Sequence, residues 1–168
     1  GRVGQVLTEK LVRMGGEVIR ADVKGLARAG EGWRVETSAG AYESAKVVVT
    51  AGAWSARLLA PLGLKLPLQA ERGYHVVFPE TEARLRNSVM DTDAKIVAST
   101  MEMGLRAAGT AEFGDADAPP DPARAAAVER ALRRLVPGIG AGRGETWVGV
   151  RPSFPDSLPV IGELPGLE

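Results

Sequence analysis

Between Leu66 and Thr110 the chain offers four extended runs in quick succession: Leu66 to Pro79, Ser88 to Asp93, Lys95 to Thr100 and Gly104 to Thr110. Turn-prone residues part them, and the last three, short strand candidates at this spacing, read as an antiparallel meander. Gly73, inside Arg72-Gly73-Tyr74-His75, marks a bulge or bend in the first run. One clear helix follows. Asp121 stands as its N-cap and Pro122 takes the first helical position. Val128, Leu132, Leu135 and Val136 supply the apolar stripe, and Pro137-Gly138 ends it. Glu129 lies one turn before Arg133, and Arg124, Arg130, Arg133 and Arg134 read as the solvated face. The class expected is α+β, an antiparallel or mixed sheet with a covering helix.

The first third reads differently. Val3, Leu7, Leu11 and Met14 recur at helical spacing up to Gly15-Gly16, which predicts an amphipathic helix covering a sheet. Glu17 to Leu26 reads as extended, Gly30-Glu31-Gly32 as a turn, and Trp33 to Thr37 as a strand before a Gly40 turn. Tyr42 to Thr50 closes the group with Val47-Val48-Val49-Thr50, a β-branched run of the kind found in strands covered on both faces. The expected organisation is a two-stranded ribbon entering a buried strand. Ala51-Gly52-Ala53-Trp54-Ser55 then leads into a short helical segment, Ala56 to Leu62. Gly52 lets main chain approach a ligand closely, or it serves tight packing between strand and helix; both readings are open.

Composition removes several chemistries. The chain has 168 residues, the size of one domain, with Lys+Arg and Asp+Glu balanced at 21 each, so no basic field exists to hold nucleic acid. With no cysteine, thiolate metal sites, disulfides and a cysteine nucleophile are excluded. His75 is the single histidine, so a multi-histidine metal site cannot be built in one chain. A packed or hydrogen-bonded role for His75 stands against a catalytic one, and no serine and carboxylate partners are visible for it. No apolar run approaches a membrane span and no signal peptide opens the chain, so the cytoplasm is the default location. The glycine-rich stretch Gly138 to Gly144 follows a helix, whereas a dinucleotide fingerprint follows a strand and opens a helix, so it reads as a flexible connector.

The chemistry is expected in Trp147-Val148-Gly149-Val150-Arg151-Pro152-Ser153-Phe154-Pro155-Asp156-Ser157-Leu158-Pro159-Val160-Ile161-Gly162. An apolar strand-like run delivers Arg151 to a segment stiffened by three prolines. A guanidinium there suits a carboxylate, which it can hold through two parallel hydrogen bonds. A surface ion pair with Asp156 or Glu145 is the other reading.

Three segments in order, Val47-Val48-Val49-Thr50-Ala51-Gly52-Ala53-Trp54-Ser55, Gly104-Leu105-Arg106-Ala107-Ala108-Gly109-Thr110 and Trp147 to Pro152 continuing through Pro159-Val160-Ile161-Gly162, resemble the flavin-dependent amino-acid oxidoreductases. That family includes glycine oxidase, sarcosine oxidase and D-amino-acid dehydrogenase, and the resemblance runs over nearly the whole chain. It implies the substrate-binding domain of a two-domain flavoprotein plus part of its FAD-binding domain. Residues 1–60 would belong to the FAD-binding domain, 61–150 to the substrate-binding domain, and 151–168 would return toward the first. Arg151 matches the arginine that holds the substrate carboxylate, Val23 the residue offering backbone to the adenine of FAD, and Ala51 and Gly52 the stretch close to the cofactor. Tyr74 and Lys95 would line the substrate pocket, Lys95 standing where some relatives carry tyrosine. The implied partners are a small amino-acid substrate (a D-amino acid, glycine or an N-methyl amino acid), the remainder of the flavoprotein, and oxygen or a quinone as electron acceptor. Peripheral membrane association of the parent is compatible with this. Two glycine-rich FAD-binding segments of the family are not found in the chain, so weak or absent FAD binding by this polypeptide alone is expected. Two rival classes remain from the residues themselves: a non-catalytic carboxylate-binding module, and an assembly domain whose sheet packs on a partner.

Overall fold

Period-two alternation along one long strand organises the larger part of the molecule. In the computed structural model, which describes residues 2–164, 166 and 167, β4 (Gln69–Phe78) has β7 (Gly104–Gly114) on one side and β8 (Glu145–Ser153) on the other, both antiparallel. β6 (Ile96–Met101) and β5 (Val89–Asp91) continue the sheet beyond β7, giving the order β5-β6-β7-β4-β8. The meander expected from the three short runs is present as β5-β6-β7, and β4 lies beside β7. The last strand of the sheet, β8, is the Trp147-to-Arg151 run, paired with β4 along nine positions from Gln69↔Ser153 to Val77↔Glu145.

One face of this sheet is the core. Tyr74, Val76 and Phe78 of β4, Ile96 and Ala98 of β6, and Leu105 and Ala107 of β7 are all buried. Packed against the last six of these are Val128, Ala131 and Leu132 of α3 (Pro122–Leu135), with Ile139 beyond it. Full burial of a side chain such as Leu132 contributes about 1.5–3 kcal/mol. The α3 start is as the sequence indicates: Asp121 caps through its side chain, accepting from the Ala123 N–H at 2.8 Å, and Pro122 follows. The Glu129–Arg133 pair forms, at 2.7 Å.

Two helix arginines depart from the solvated-face expectation. Arg133 also donates to the Gly140 and Gly142 carbonyls, at 2.7 and 2.5 Å, with its guanidinium 4.8 Å from the Phe78 ring centroid. The stretch expected as a flexible connector is therefore fastened to the helix, and Thr81 adds a hydroxyl bond to the Ile139 carbonyl at 3.0 Å. Arg124 reaches Glu112 of β7 at 2.9 Å. Arg130 and Arg134 are exposed, as expected of that face.

The bulge lies opposite Gly73. Between the pairs Gly73↔Ala111 and Tyr74↔Gly109, β7 carries one extra residue, Thr110, in the left-handed region at φ 54°.

Residues 1–50 with 57–64 form a separate compact unit from residues 51–56 with 65–168. The first unit holds α1 (Arg2–Arg13) and a three-stranded antiparallel sheet of β1 (Val23–Ala29), β2 (Gly32–Thr37) and β3 (Gly40–Ser44) in sequence order. Trp33 is its buried anchor, with the Arg28 guanidinium 4.3 Å above its ring. Three expectations are corrected here. The extended start at Glu17 becomes a strand only from Val23. The helix α1 forms, yet it covers nothing in the described chain, since Val3, Val6, Leu7 and Leu11 are all exposed. Val47 to Thr50 is not a strand: Val48 is 84% exposed and the run has no ladder partner. β-branched residues favour an extended backbone, but a strand needs a neighbour's N–H and C=O groups, and among the described residues none lies beside this run. The short helix α2 (Ser55–Leu59) and a 3-10 turn at Ala60–Leu62 complete the expected 56–62 segment.

Candidate functional site

On the face of the large sheet turned away from α3, the register of β4 and β8 brings three pairs side by side: Glu71↔Arg151, Gly73↔Gly149 and His75↔Trp147. The central pair is two glycines. Neither contributes a side chain, and the neighbours lean into the space. The Arg151 guanidinium lies where a Gly73 Cβ would project, and the Trp147 indole lies where a Gly149 Cβ would project. The result is a shallow trough floored by backbone, with a cation at one end and an aromatic pair at the other. Arg151 Nη1 donates to Glu71 Oε1 at 2.8 Å, and Ser153 Oγ donates to Glu71 Oε2 at 2.9 Å. Both Glu71 oxygens are thus engaged. The Arg151 side chain remains 61% exposed, and the rest of its five-donor fork has no partner among the described residues. Of the two readings of Arg151, the ion-pair partner is Glu71, not Asp156 or Glu145.

Replacing Gly73 by alanine tests this geometry. The added methyl meets only the far end of a flexible side chain, so stability is expected to stay within about 1 kcal/mol. The guanidinium, however, must leave its resting place across the floor. A carboxylate ligand bound through it should weaken about tenfold or more; unchanged ligand affinity would show that the trough does not set the arginine's position.

At the other end, the His75 ring stacks on Trp147 with centroids 4.8 Å apart and planes 22° from parallel. Arg106 of β7 approaches His75 Nδ1 with its Nη2 at 3.2 Å. A guanidinium can only donate, so Nδ1 is the acceptor and the neutral ring carries its proton on Nε2. Burial lowers the His75 pKa below its ordinary 6.5, and the Arg106 charge lowers it further. Folding therefore favours the neutral ring. The associated stabilisation is complete above about pH 6.5 and is lost as pH falls below that value toward the lowered one. Denaturation midpoints between pH 7.5 and 5 should show a steeper acid loss in the wild type than in His75→Gln, and equal slopes would refute it. A packed, hydrogen-bonded histidine is what the structure contains.

The other residues expected at the site lie elsewhere. Tyr74 is on the core side of β4, since alternation sends it opposite to Gly73 and His75; it is 2% exposed. Its hydroxyl donates to Glu112 Oε1 at 2.5 Å and accepts from the Asp121 N–H at 2.9 Å. Glu112 also pairs with Arg72 at 3.1 Å, and Arg72 donates to the Ala118 and Pro119 carbonyls at 2.7 and 2.9 Å. Tyr74 thus belongs to a buried charged network under the α3 N-terminus. Lys95 occupies the exposed turn between β5 and β6, with φ 56°, and β7 and β4 separate β6 from β8. Val23 opens β1 opposite Thr37 in the first unit. Ala51 and Gly52 begin a 3-10 turn, Gly52–Trp54, fixed by a bond from Trp54 Nε1 to Asp117 Oδ1 at 2.9 Å. Gly52 has φ 56° and open space where a Cβ would stand.

Sequence reasoning missed Glu71, Gly149 and Arg106 as parts of this face. A signal was available: Glu71-x-Gly73-x-His75 and Trp147-x-Gly149-x-Arg151 both place glycine at the centre of a charged and an aromatic residue on one strand face. Among the described residues, no strand leads through a glycine loop into a helix, and the α3 N-terminus is already occupied by the Asp121 carboxylate. No helix is long and apolar enough to cross a membrane.

Known proteins resemble this chain in sequence and fold. A family model described as FAD dependent oxidoreductase (DAO) matches residues 1–168. D-amino-acid oxidase of Bradyrhizobium diazoefficiens is 40% identical over 161 residues, covering 93% of this chain and 38% of that protein. A D-amino acid dehydrogenase of Xylella fastidiosa is 39% identical over 130 residues, 75% of this chain and 30% of its own length. Among solved structures, glycine oxidase from Geobacillus kaustophilus superposes with TM-score 0.71 at 24% identity over 87% of this chain and 40% of that one. Glycine oxidase from Bacillus cereus gives TM-score 0.76 at 19% identity over 95% and 45%. The two structural matches establish the α+β fold, and the chain spans less than half the length of each of these four proteins. The family match over all 168 residues makes this chain a member of the FAD dependent oxidoreductases.

Proposed function

We propose that this chain supplies the substrate-binding part, and a portion of the cofactor-binding part, of a longer flavoprotein that oxidises a small amino acid: a D-amino acid, glycine or an N-methyl amino acid. Residues 61–150 form the substrate-binding domain in this reading, 1–60 belong with the cofactor, and 151–168 lead back toward it. The observation that carries the reading is the Arg151 fork lying across the side-chain-free floor of Gly73 and Gly149. A carboxylate docking there meets open N–H donors on a guanidinium already held by Glu71. The exposed apolar side of α1 supports the presence of a further part of the protein packed on it.

FAD, when bound, would supply the acceptor for a hydride from the substrate's α-carbon. The described residues do not form a cradle for its pyrophosphate, which elsewhere is a glycine loop at a helix N-terminus. Gly52 leaves its backbone uncovered, which suits close approach of the cofactor there; the family resemblance gives Ala51, and separately Val23 of the first unit, main-chain roles toward it. Arg151 fixes the substrate by its carboxylate, so that the α-carbon has one orientation over the trough. The stacked His75 and Trp147 rings form an apolar wall at the far end. No side-chain base is required, because a substrate with a neutral amine gives up its hydride directly. The final electron acceptor in this reading would be oxygen or a quinone.

Arg151→Met in the full-length flavoprotein tests the assignment. A raised KM for the amino acid with normal FAD content is the expected result, and an unaltered KM would sink it.

A further inference from the structure

The trough carries two arginines, and their electrostatic situations differ. Arg151 is matched one-to-one by Glu71 at 2.8 Å. Arg106 has no carboxylate within ion-pair distance among the described residues; its partner is the neutral His75 ring at 3.2 Å. Its register neighbours on the same face are uncharged: Val77 on β4, and Ser99 on β6, which is bonded to Ser88 at 2.7 Å. Glu145 of β8 stands across Val77, two strands and so about 10 Å away. The uncompensated positive charge of this face therefore lies at Arg106, partly buried, where a guanidinium is weakly screened and an anion gains most from meeting it.

Spacing makes this a second point of attachment. The Arg151 guanidinium rests over Gly73, and His75, which holds Arg106, is the next residue on the same face of the strand, about 7 Å along. His75 itself contributes no charge to the pair. A ligand fixed by one carboxylate on Arg151 and lying along the trough brings its other end to Arg106.

We propose that Arg106 is a specificity-determining residue that takes a second carboxylate, on the side chain of an acidic amino acid whose α-carboxylate lies on Arg151. This rests on the reading of Arg151 as the carboxylate anchor. Each arginine would then meet one ligand carboxylate: the side-chain carboxylate matches Arg106, and the α-carboxylate takes the open donors of Arg151 beside Glu71.

Steady-state kinetics of the full-length flavoprotein with glutamate against glutamine and aspartate against asparagine, both enantiomers of each, test the proposal. The expected wild-type result is a kcat/KM for the acidic member about tenfold or more above its amide, the size of one charge-assisted contact. In Arg106→Gln that ratio collapses toward one, and in Arg106→Lys part of it returns. Calorimetric titration with glutarate and butyrate reads binding without turnover: glutarate binds more tightly to the wild type, and the advantage vanishes in Arg106→Gln. Absence of an acidic preference in the wild type, or equal losses on acid and amide in the variant, would overturn it, and the wild-type comparison stands even if a variant fails to fold. Arg151→Met lowers both members of each pair, so a failure of the underlying anchor assignment is seen separately.

Discussion

Glu112→Ala is expected to cost about 3–5 kcal/mol, because it strips the paired carboxylate from Arg72, whose side chain is 6% exposed. Arg72 cannot turn to water. It keeps its bonds to the Ala118 and Pro119 carbonyls, but its charge loses the partner at 3.1 Å. Tyr74 loses the acceptor of its hydroxyl, and Arg124 its contact at 2.9 Å. Since a domain of this size is stable by only about 5–15 kcal/mol, the variant should melt far below the wild type or fail to accumulate. Glu112→Gln preserves an acceptor for Tyr74 and should fall between the two. Arg124→Ala should cost less, its side chain being 36% exposed. Denaturant midpoints measure all three, and a loss below about 1 kcal/mol for Glu112→Ala would mean that Arg72 finds compensation elsewhere.

Arg151→Met is expected to act the opposite way, on ligand and not on fold. Its pair with Glu71 joins a largely exposed guanidinium to a carboxylate, and such pairs contribute about 0–1 kcal/mol to stability. Two charge-assisted hydrogen bonds to a substrate carboxylate contribute about 3–5 kcal/mol together, which corresponds to a rise of about a hundredfold to several thousandfold in KM. Lysine at this position keeps the charge and loses the fork, so it should recover only part of the affinity. Melting temperature and KM measured on the same preparations separate the two effects. A large fall in stability with KM unmoved would make Arg151 a structural residue.

How far the sequence discloses this molecule depends on the range of the interactions concerned. Asp121 and Pro122 announce α3 because a cap is chemistry between neighbours. The meander is legible for the same reason: turns separate runs whose alternation is local. The Val47–Thr50 run misleads because strand propensity says nothing about whether a partner strand lies beside it. Arg151 and Glu71 are eighty positions apart, and only the β4–β8 register, fixed by burial of the opposite face, brings them together. Tyr74 could have been placed: a residue between Gly73 and His75 cannot share their face. Arg106 stays hidden because what distinguishes it is the lack of a counter-charge, which no motif encodes.

The extra residue at Thr110 has a consequence for how β7 is read from its sequence. The bulge takes up one residue, so odd and even positions exchange faces beyond it. Upstream of Thr110, Arg106 looks out over the trough; downstream, Glu112 looks into the core toward Arg72, and Phe113 looks out beside Glu71. Were Thr110 to pair with Gly73 and the ladder to run on without the bulge, Glu112 would enter the trough beside Glu71 and Ala111 would stand against the buried Arg72. The bulge is thus as much a determinant of the site's charge as any side chain in it.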